Sequence, residues 1–282
     1  MAKPKDRYLK INGLTIHYLD WGNTGAPIML ILHGVTRFAH AMDGIARFFA
    51  DRFQVLAYDL RGHGTSDWDP KGHYGLDTHR SDLQSVVDLL NLENIVLLGH
   101  SLGGSIAMSY LYYNPRNVAK AAVIEDVGPH IEKTIRSSSS IQAELERTPK
   151  MFPSWEHAAA YWKKIRPELS KPALERRLKS SMQASENGVI TWVWDISGLL
   201  NHMKNGPKGT DDRWDYVKAI TCPTLVVRGS ESEILSQEVA ARMSNENPHI
   251  SWVEIPKAGH AVHTDNLDSF NSKVSNFLRN ID

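Results

Sequence analysis

The chain has 282 residues, with 32 Lys and Arg against 32 Asp and Glu, so its formal charge is zero with His neutral. An apolar share of 41% gives it enough surface to bury that disorder is excluded as the main state. The balanced charge argues against a nucleic-acid or membrane-surface binder, and the single cysteine, Cys222, excludes an intrachain disulfide and a cysteine metal cage.

This length fits one large domain, or one domain carrying an insertion. The charged start leads into no apolar segment of signal-peptide length. The strongest apolar runs, 28–32 and 95–98, fall far short of the ~20 residues of a membrane helix. A cytoplasmic protein is the expectation.

In chain order, residues 14–18 alternate like a half-exposed strand, and 28–32 form a continuous apolar run suited to a strand buried on both faces. A helix is predicted over 38–50, a strand over 53–58 and a helix over 78–92. A strand follows at 95–98, a helix at 101–113 and a strand at 118–124. From Gly128 to Arg213 no strand stands out. A serine run (Ser137 to Ser140) gives way to helix-forming stretches divided by Pro149, Pro153, Pro167 and Pro172, and residues 205–209 read as a loop. Strands return at 224–227 and 252–255, with helices at 237–243 and 269–278. Alternation of this kind predicts an α/β fold with a mostly parallel, doubly wound sheet. The core is expected over 1–127 and 214–282, with 128–213 inserted as a helical cap, or lid.

Gly99-His100-Ser101-Leu102-Gly103 joins a predicted strand to a predicted helix. G-x-S-x-G in that setting is a sharp turn that presents the serine hydroxyl at the sheet edge. Glycine on either side removes the Cβ that would strike the neighbouring strand or helix. The helix N-terminus aims backbone N–H groups at developing negative charge. Serine needs a base, and the base needs an orienting group. Among thirteen histidines, His260 sits between the last strand and the last helix, at the same edge as Ser101. His263 is the understudy, and His100 is expected to point away from the reacting group. His33-Gly34-Val35-Thr36 follows the strand at 28–32, so the N–H groups of Val35 and Leu102 can form an oxyanion hole. Arg37, on the same loop, reads most simply as a surface salt-bridge partner, with a substrate carboxylate as the other role.

For the acid, Glu125 and Asp126 end the strand at 118–124, where two carboxylates are costly to hold unless hydrogen-bonded. We take Glu125 as the acid, with Asp126 and the Glu231/Glu233 loop as alternatives. Asp126 also reads as a cap on the entry to the insertion.

With these residues placed, the sequence resembles the α/β-hydrolase-fold serine hydrolases along nearly its whole length. Asp59-Leu60-Arg61-Gly62-His63-Gly64-Thr65-Ser66 is similar to a structural turn of that family, which implies no catalytic role for Arg61 or His63. The family usually carries its acid three residues after the glycine that matches Gly229; here that position is Ser232. Val123-Ile124-Glu125-Asp126-Val127-Gly128-Pro129 and His33-Gly34-Val35-Thr36 look most like the acetamidomethylene-succinate hydrolase type, whose acid follows the sixth strand. Serine at 101 separates the chain from the dehalogenases and epoxide hydrolases, which use a carboxylate nucleophile. The resemblance implies hydrolysis of carboxylic esters of small or medium acyl chains through an acyl-enzyme on Ser101, with His260 as base, Glu125 as acid and no metal or organic cofactor. An amide, enamide or carbon–carbon bond is the alternative target, and a ligand receptor with little turnover is the alternative of another class. The expected partner is a small acyl substrate, with no nucleic acid or membrane, and the protein is expected as a monomer or homodimer. The aromatics Trp155, Tyr161, Trp162, Trp192 and Trp194 fall in the cap. They suit a pocket wall, with packing against the core the plainer account.

Overall fold

The computed structural model describes residues 3–114, 119–129, 145–167, 170–185, 187–206, 213–279 and 281. Val118, the run from Ser137 to Ser140 and the 207–209 end of the predicted loop lie outside the described residues. The first half alternates β1 (Lys5–Ile11), β2 (Leu14–Asp20), β3 (Ile28–Leu32), α1 (Asp43–Phe49), β4 (Gln54–Tyr58), α2 (Leu76–Leu89), β5 (Ile95–His100), α3 (Leu102–Tyr113) and β6 (Ala119–Glu125). A segment of different character contributes β7 (Met151–Phe152), α4 (Trp155–Ile165), α5 (Lys171–Ser181), β8 (Met182–Ala184), β9 (Ile190–Trp192) and α6 (Ile196–Asn205). The chain ends with α7 (Trp214–Ala219), β10 (Thr224–Gly229), α8 (Gln237–Glu246), β11 (Ile250–Ile255), α9 (Val262–Asp265) and α10 (Leu267–Leu278).

Eight strands form one sheet in the order β1-β2-β4-β3-β5-β6-β10-β11. The β1–β2 and β2–β4 pairs are antiparallel and the others parallel. Successive side chains of a strand point to opposite faces. Leu30 and Leu32 of β3 therefore join one apolar cluster, which includes Leu83 of α2 and Ile106 of α3. Met29 and Ile31 join the other, with Phe49 of α1 and Phe270 of α10. Covering on both faces is what the unbroken apolar run at 28–32 implies.

This topology places the site. After β3 the chain turns to β4 on one side; it then crosses to β5 on the other. Between β3 and β5 lies the switch point of the sheet, where a crevice opens at the carboxyl ends of the strands. Register keeps those ends together: Leu32 pairs with Gly99, His100 with Glu125 and Val227 with Glu125.

Two features depart from the sequence reading. β1 is a strand although its residues are charged and mostly exposed. It lies at the sheet edge, where charge hinders pairing with another chain, so its sequence lacks a buried strand's pattern. The segment between β6 and α7 holds a three-stranded antiparallel sheet, β7-β9-β8, where no strand was expected. Its strands have two or three residues each, too few for a period to show. This segment has its own apolar cluster, built on Phe152, Trp162, Trp192, Trp194 and Leu199. It joins the first half through a bridge between His63 and Trp194 and a hydrogen bond from Asp195 N–H to Gly62 O. No helix among the described residues is long and apolar enough to cross a membrane.

Candidate active site

Ser101 stands between β5 and α3 with φ 52° and ψ −114°, backbone angles that L residues rarely adopt. The flanking glycines explain how the chain reaches them. A Cβ on Gly99 would lie 2.3 Å from Gly103 O, and one on Gly103 would lie 2.4 Å from Leu32 O. Both contacts are with backbone, which cannot swing aside. Gly103→Ala must therefore displace α3 from β3, at a cost of about 1–3 kcal/mol or more. Thermal melts should show that loss together with slower labelling of Ser101; an unchanged melt would refute the steric account.

Ser101 Oγ lies 3.0 Å from His260 Nε2, although the two residues are 159 apart in sequence. His260 Nδ1 lies 2.8 Å from Asp126 Oδ2. The Asp126 carboxylate also accepts from Gly229 N–H at 3.1 Å and from the Ser232 hydroxyl. With Nδ1–H donated to Asp126, His260 Nε2 carries the lone pair that faces Ser101. Asp126 is buried, and its φ of 52° lies in the left-handed region that Asp tolerates better than most residues.

The carboxylate that meets His260 is thus Asp126, the alternative to Glu125 in the sequence reading. Glu125 is the last residue of β6, and its side chain turns toward α9. It accepts from His263 N–H at 2.9 Å and lies 2.8 Å from His263 Nδ1. Beside His263 its carboxyl falls to about 2, against the opposing effect of burial. Glu125 and His263 form a second acid–imidazole pair that lacks a nucleophile, and the understudy histidine is committed to it. Ser232, at the position where an acid was sought, serves Asp126 as a donor; neither Glu231 nor Glu233 reaches His260.

His100 does turn away from Ser101. Its Nε2–H donates to the His260 carbonyl at 2.9 Å, and its ring lies 4.8 Å from that of His260. Burial pushes it down to about 3, so it is neutral near pH 7. Gly34 packs against both histidine and serine: a Cβ there would lie 2.6 Å from His100 Nδ1 and 3.2 Å from Ser101 Cβ. Val35 is the residue after Gly34, and Leu102, directly after Ser101, opens α3.

The loop carrying Val35 is held from below. His33 Nε2 accepts from Leu60 N–H at 2.9 Å, and its Nδ1–H donates to Gly34 O at 2.8 Å. His63 Nε2 accepts from Thr36 N–H at 3.3 Å, and its Nδ1–H donates to Arg61 O at 2.9 Å. Both rings are buried and held neutral by desolvation, His63 at about 3. Asp59 accepts from Ala39 N–H and Thr65 N–H, and Arg61 pairs with Asp82 and Asp69. The motif at 59–66 is thus scaffolding for the loop at 33–37, and His63 was missed as its brace. Its place in that motif could have signalled the role, since a buried imidazole with one acceptor and one donor suits a loop carrying spare N–H groups.

A cavity of about 120 Å³ opens beside the loop. Val35, Thr36 and Arg37 line one side, and Tyr161, Trp162, Trp192 and Trp194 line the other. Trp155, grouped with these aromatics from the sequence, is instead 40% exposed. The rings both pack together, with Trp162 and Trp192 centroids 5.8 Å apart, and wall the cavity. Among the described residues no three His, Cys, Asp or Glu side chains converge so as to hold a metal ion.

With fold and site described, comparison with known proteins gives the class. The chain matches the model of the alpha/beta hydrolase fold over residues 27–267, and it belongs to that family. It is 29% identical to the 3-hydroxybutyrate-oligomer hydrolase of Cupriavidus necator over 86% of each chain. It is 26% identical to the 2-(acetamidomethylene)succinate hydrolase of Mesorhizobium japonicum over 96% of this chain and 94% of the relative. Among solved structures it superposes on an alpha/beta hydrolase from Novosphingobium aromaticivorans with a TM-score of 0.85, at 29% identity over 99% of both chains.

Proposed function

We propose that this hydrolase cleaves carboxylic esters of short acyl groups through an acyl-enzyme on Ser101. The observation that carries the reading is the unbroken chain Ser101 Oγ, His260 Nε2, His260 Nδ1, Asp126 Oδ2, with contacts of 3.0 and 2.8 Å. His260 takes the serine proton as Oγ attacks the carbonyl, then gives it to the leaving group. Asp126 fixes the tautomer and balances the imidazolium. The N–H groups of Val35 and Leu102 receive the oxyanion; one such donor is worth about 2.7–4 kcal/mol. Water then attacks the acyl-enzyme with His260 as base. The segment 128–213 acts as a cap on a core made of 1–127 and 214–282, and its aromatic wall limits acyl length.

An amide or enamide target is the second reading, favoured by the likeness to the acetamidomethylene-succinate hydrolase. The same residues serve both, because only the leaving group differs. A fluorophosphonate should label Ser101, located by peptide mapping. Turnover should be faster on p-nitrophenyl acetate and butyrate than on octanoate. An unlabelled Ser101 with no turnover of any ester would reject the enzymatic reading in favour of a ligand receptor.

A further inference from the structure

The cavity beside Val35 is cationic in a way that ester hydrolysis alone does not require. Arg37 and Arg177 both line it, and among the described residues no Asp or Glu does. Among the described residues the Arg37 side chain makes no ion pair and no hydrogen bond. Arg37 is half-buried. Desolvation lowers its pKa, Arg166 lowers it further, and Asp265 opposes them from beyond contact. Withdrawing a guanidinium from water without a partner is costly, and a bound anion recovers that cost.

Its position is also fixed. The Arg37 N–H donates to Gly34 O at 3.2 Å, and the preceding Thr36, with φ 59°, is pinned by His63. Arg37 thus stands two residues from the oxyanion donor Val35, on a braced turn. Across the cavity the Arg177 guanidinium lies over the Trp162 ring, 4.4 Å from its centroid. Thr148 Oγ1 and Tyr161 OH, 3.3 Å apart, add hydroxyls to the same wall.

We infer that this cavity takes the acyl half of the substrate and selects acyl groups whose far end is a carboxylate, with Arg37 as the principal reader. The inference rests on the proposed hydrolase reading and narrows its substrate to half-esters, or half-amides, of short dicarboxylic acids. A guanidinium matches a carboxylate with two parallel N–H donors, and a site built for such a partner rejects its neutral counterpart strongly. A volume of about 120 Å³ suits a short chain.

Two esters with one leaving group test it: p-nitrophenyl hydrogen glutarate, which is anionic, and p-nitrophenyl pentanoate, which is neutral. Spontaneous hydrolysis is subtracted with Ser101→Ala. The wild type should favour the glutarate by about tenfold or more in kcat/KM. Arg37→Gln should bring the ratio of the two values to near one, mainly by raising KM for the glutarate, and Arg37→Lys should leave an intermediate ratio. Equal cleavage of both esters by the wild type, or a ratio that Arg37→Gln leaves intact, overturns the inference while the hydrolase reading stands. Cleavage of neither ester, with no fluorophosphonate label on Ser101, overturns both.

Discussion

Asp126→Asn is expected to lower kcat by about 10⁴-fold, whereas Glu125→Gln should keep kcat within about tenfold and lower the melting temperature. The first effect follows from the tautomer. An amide can present its NH₂ to His260 Nδ1, which puts the ring proton on Nε2 and leaves no lone pair for Ser101; the loss in a comparable triad is of this size. The second follows from what Glu125 touches. Its carboxylate is buried and holds His263 N–H and Nδ1 at the start of α9. Weakening a buried acid–imidazole pair costs stability, up to about 3–5 kcal/mol when a partner is lost outright. A stopped assay and a melt on the two variants separate the roles. If Glu125→Gln abolished turnover and Asp126→Asn did not, the assignment would reverse.

The melting temperature should fall steeply, by more than about 10 °C, as pH drops from 7.5 to 4.5. His33, His63, His79 and His100 are buried and have their pKa values lowered, chiefly by desolvation. Each stays neutral in the folded protein below the ordinary value of about 6.5, while the unfolded chain takes up a proton there. The unfolded state then binds more protons, so stability is lost as pH falls from 6.5, at about 1.4 kcal/mol per unit for each group. His17, raised by Asp59 and Asp6 against the lowering by burial, takes up its proton in the folded protein above about pH 6.5 and offsets none of the loss below it. Glu125, lowered to about 2, adds a loss between about pH 4.5 and 2. Against a typical total of about 5–15 kcal/mol the sum is large. Circular dichroism melts across this range are the measurement, and a flat profile would show that the buried rings find partners for their protons.

Most of what positions the nucleophile was legible in the sequence because it is local. Gly99 and Gly103 bracket Ser101 for steric reasons that need no tertiary knowledge, and His260 follows from lying at the same edge of a parallel sheet. The carboxylate that contacts His260 was not local. Glu125 and Asp126 are adjacent, and β6 ends between them, so a one-residue difference in backbone angle decides which carboxylate turns toward β10. Two signals pointed to Asp126. Asp enters the left-handed region more readily than Glu, and Ser232 left a hydroxyl where a carboxylate from β6 could be received. β1 was missed because it is an edge strand with charge on its exposed residues. The short strands β7, β8 and β9 were missed because two or three residues carry no period, and what holds them is the Trp162, Trp192 and Trp194 cluster they share.

The ordering of the three site residues along the chain bears on biosynthesis. Ser101 and Asp126 leave the ribosome early, on β5 and β6, while His260 arrives 134 residues after Asp126, beyond β11. If His260 is the base proposed for Ser101, a product ending before that point is expected to be inactive toward a fluorophosphonate. On the proposed reading, hydrolysis waits for the segment that carries His260, which is made after residues 128–213.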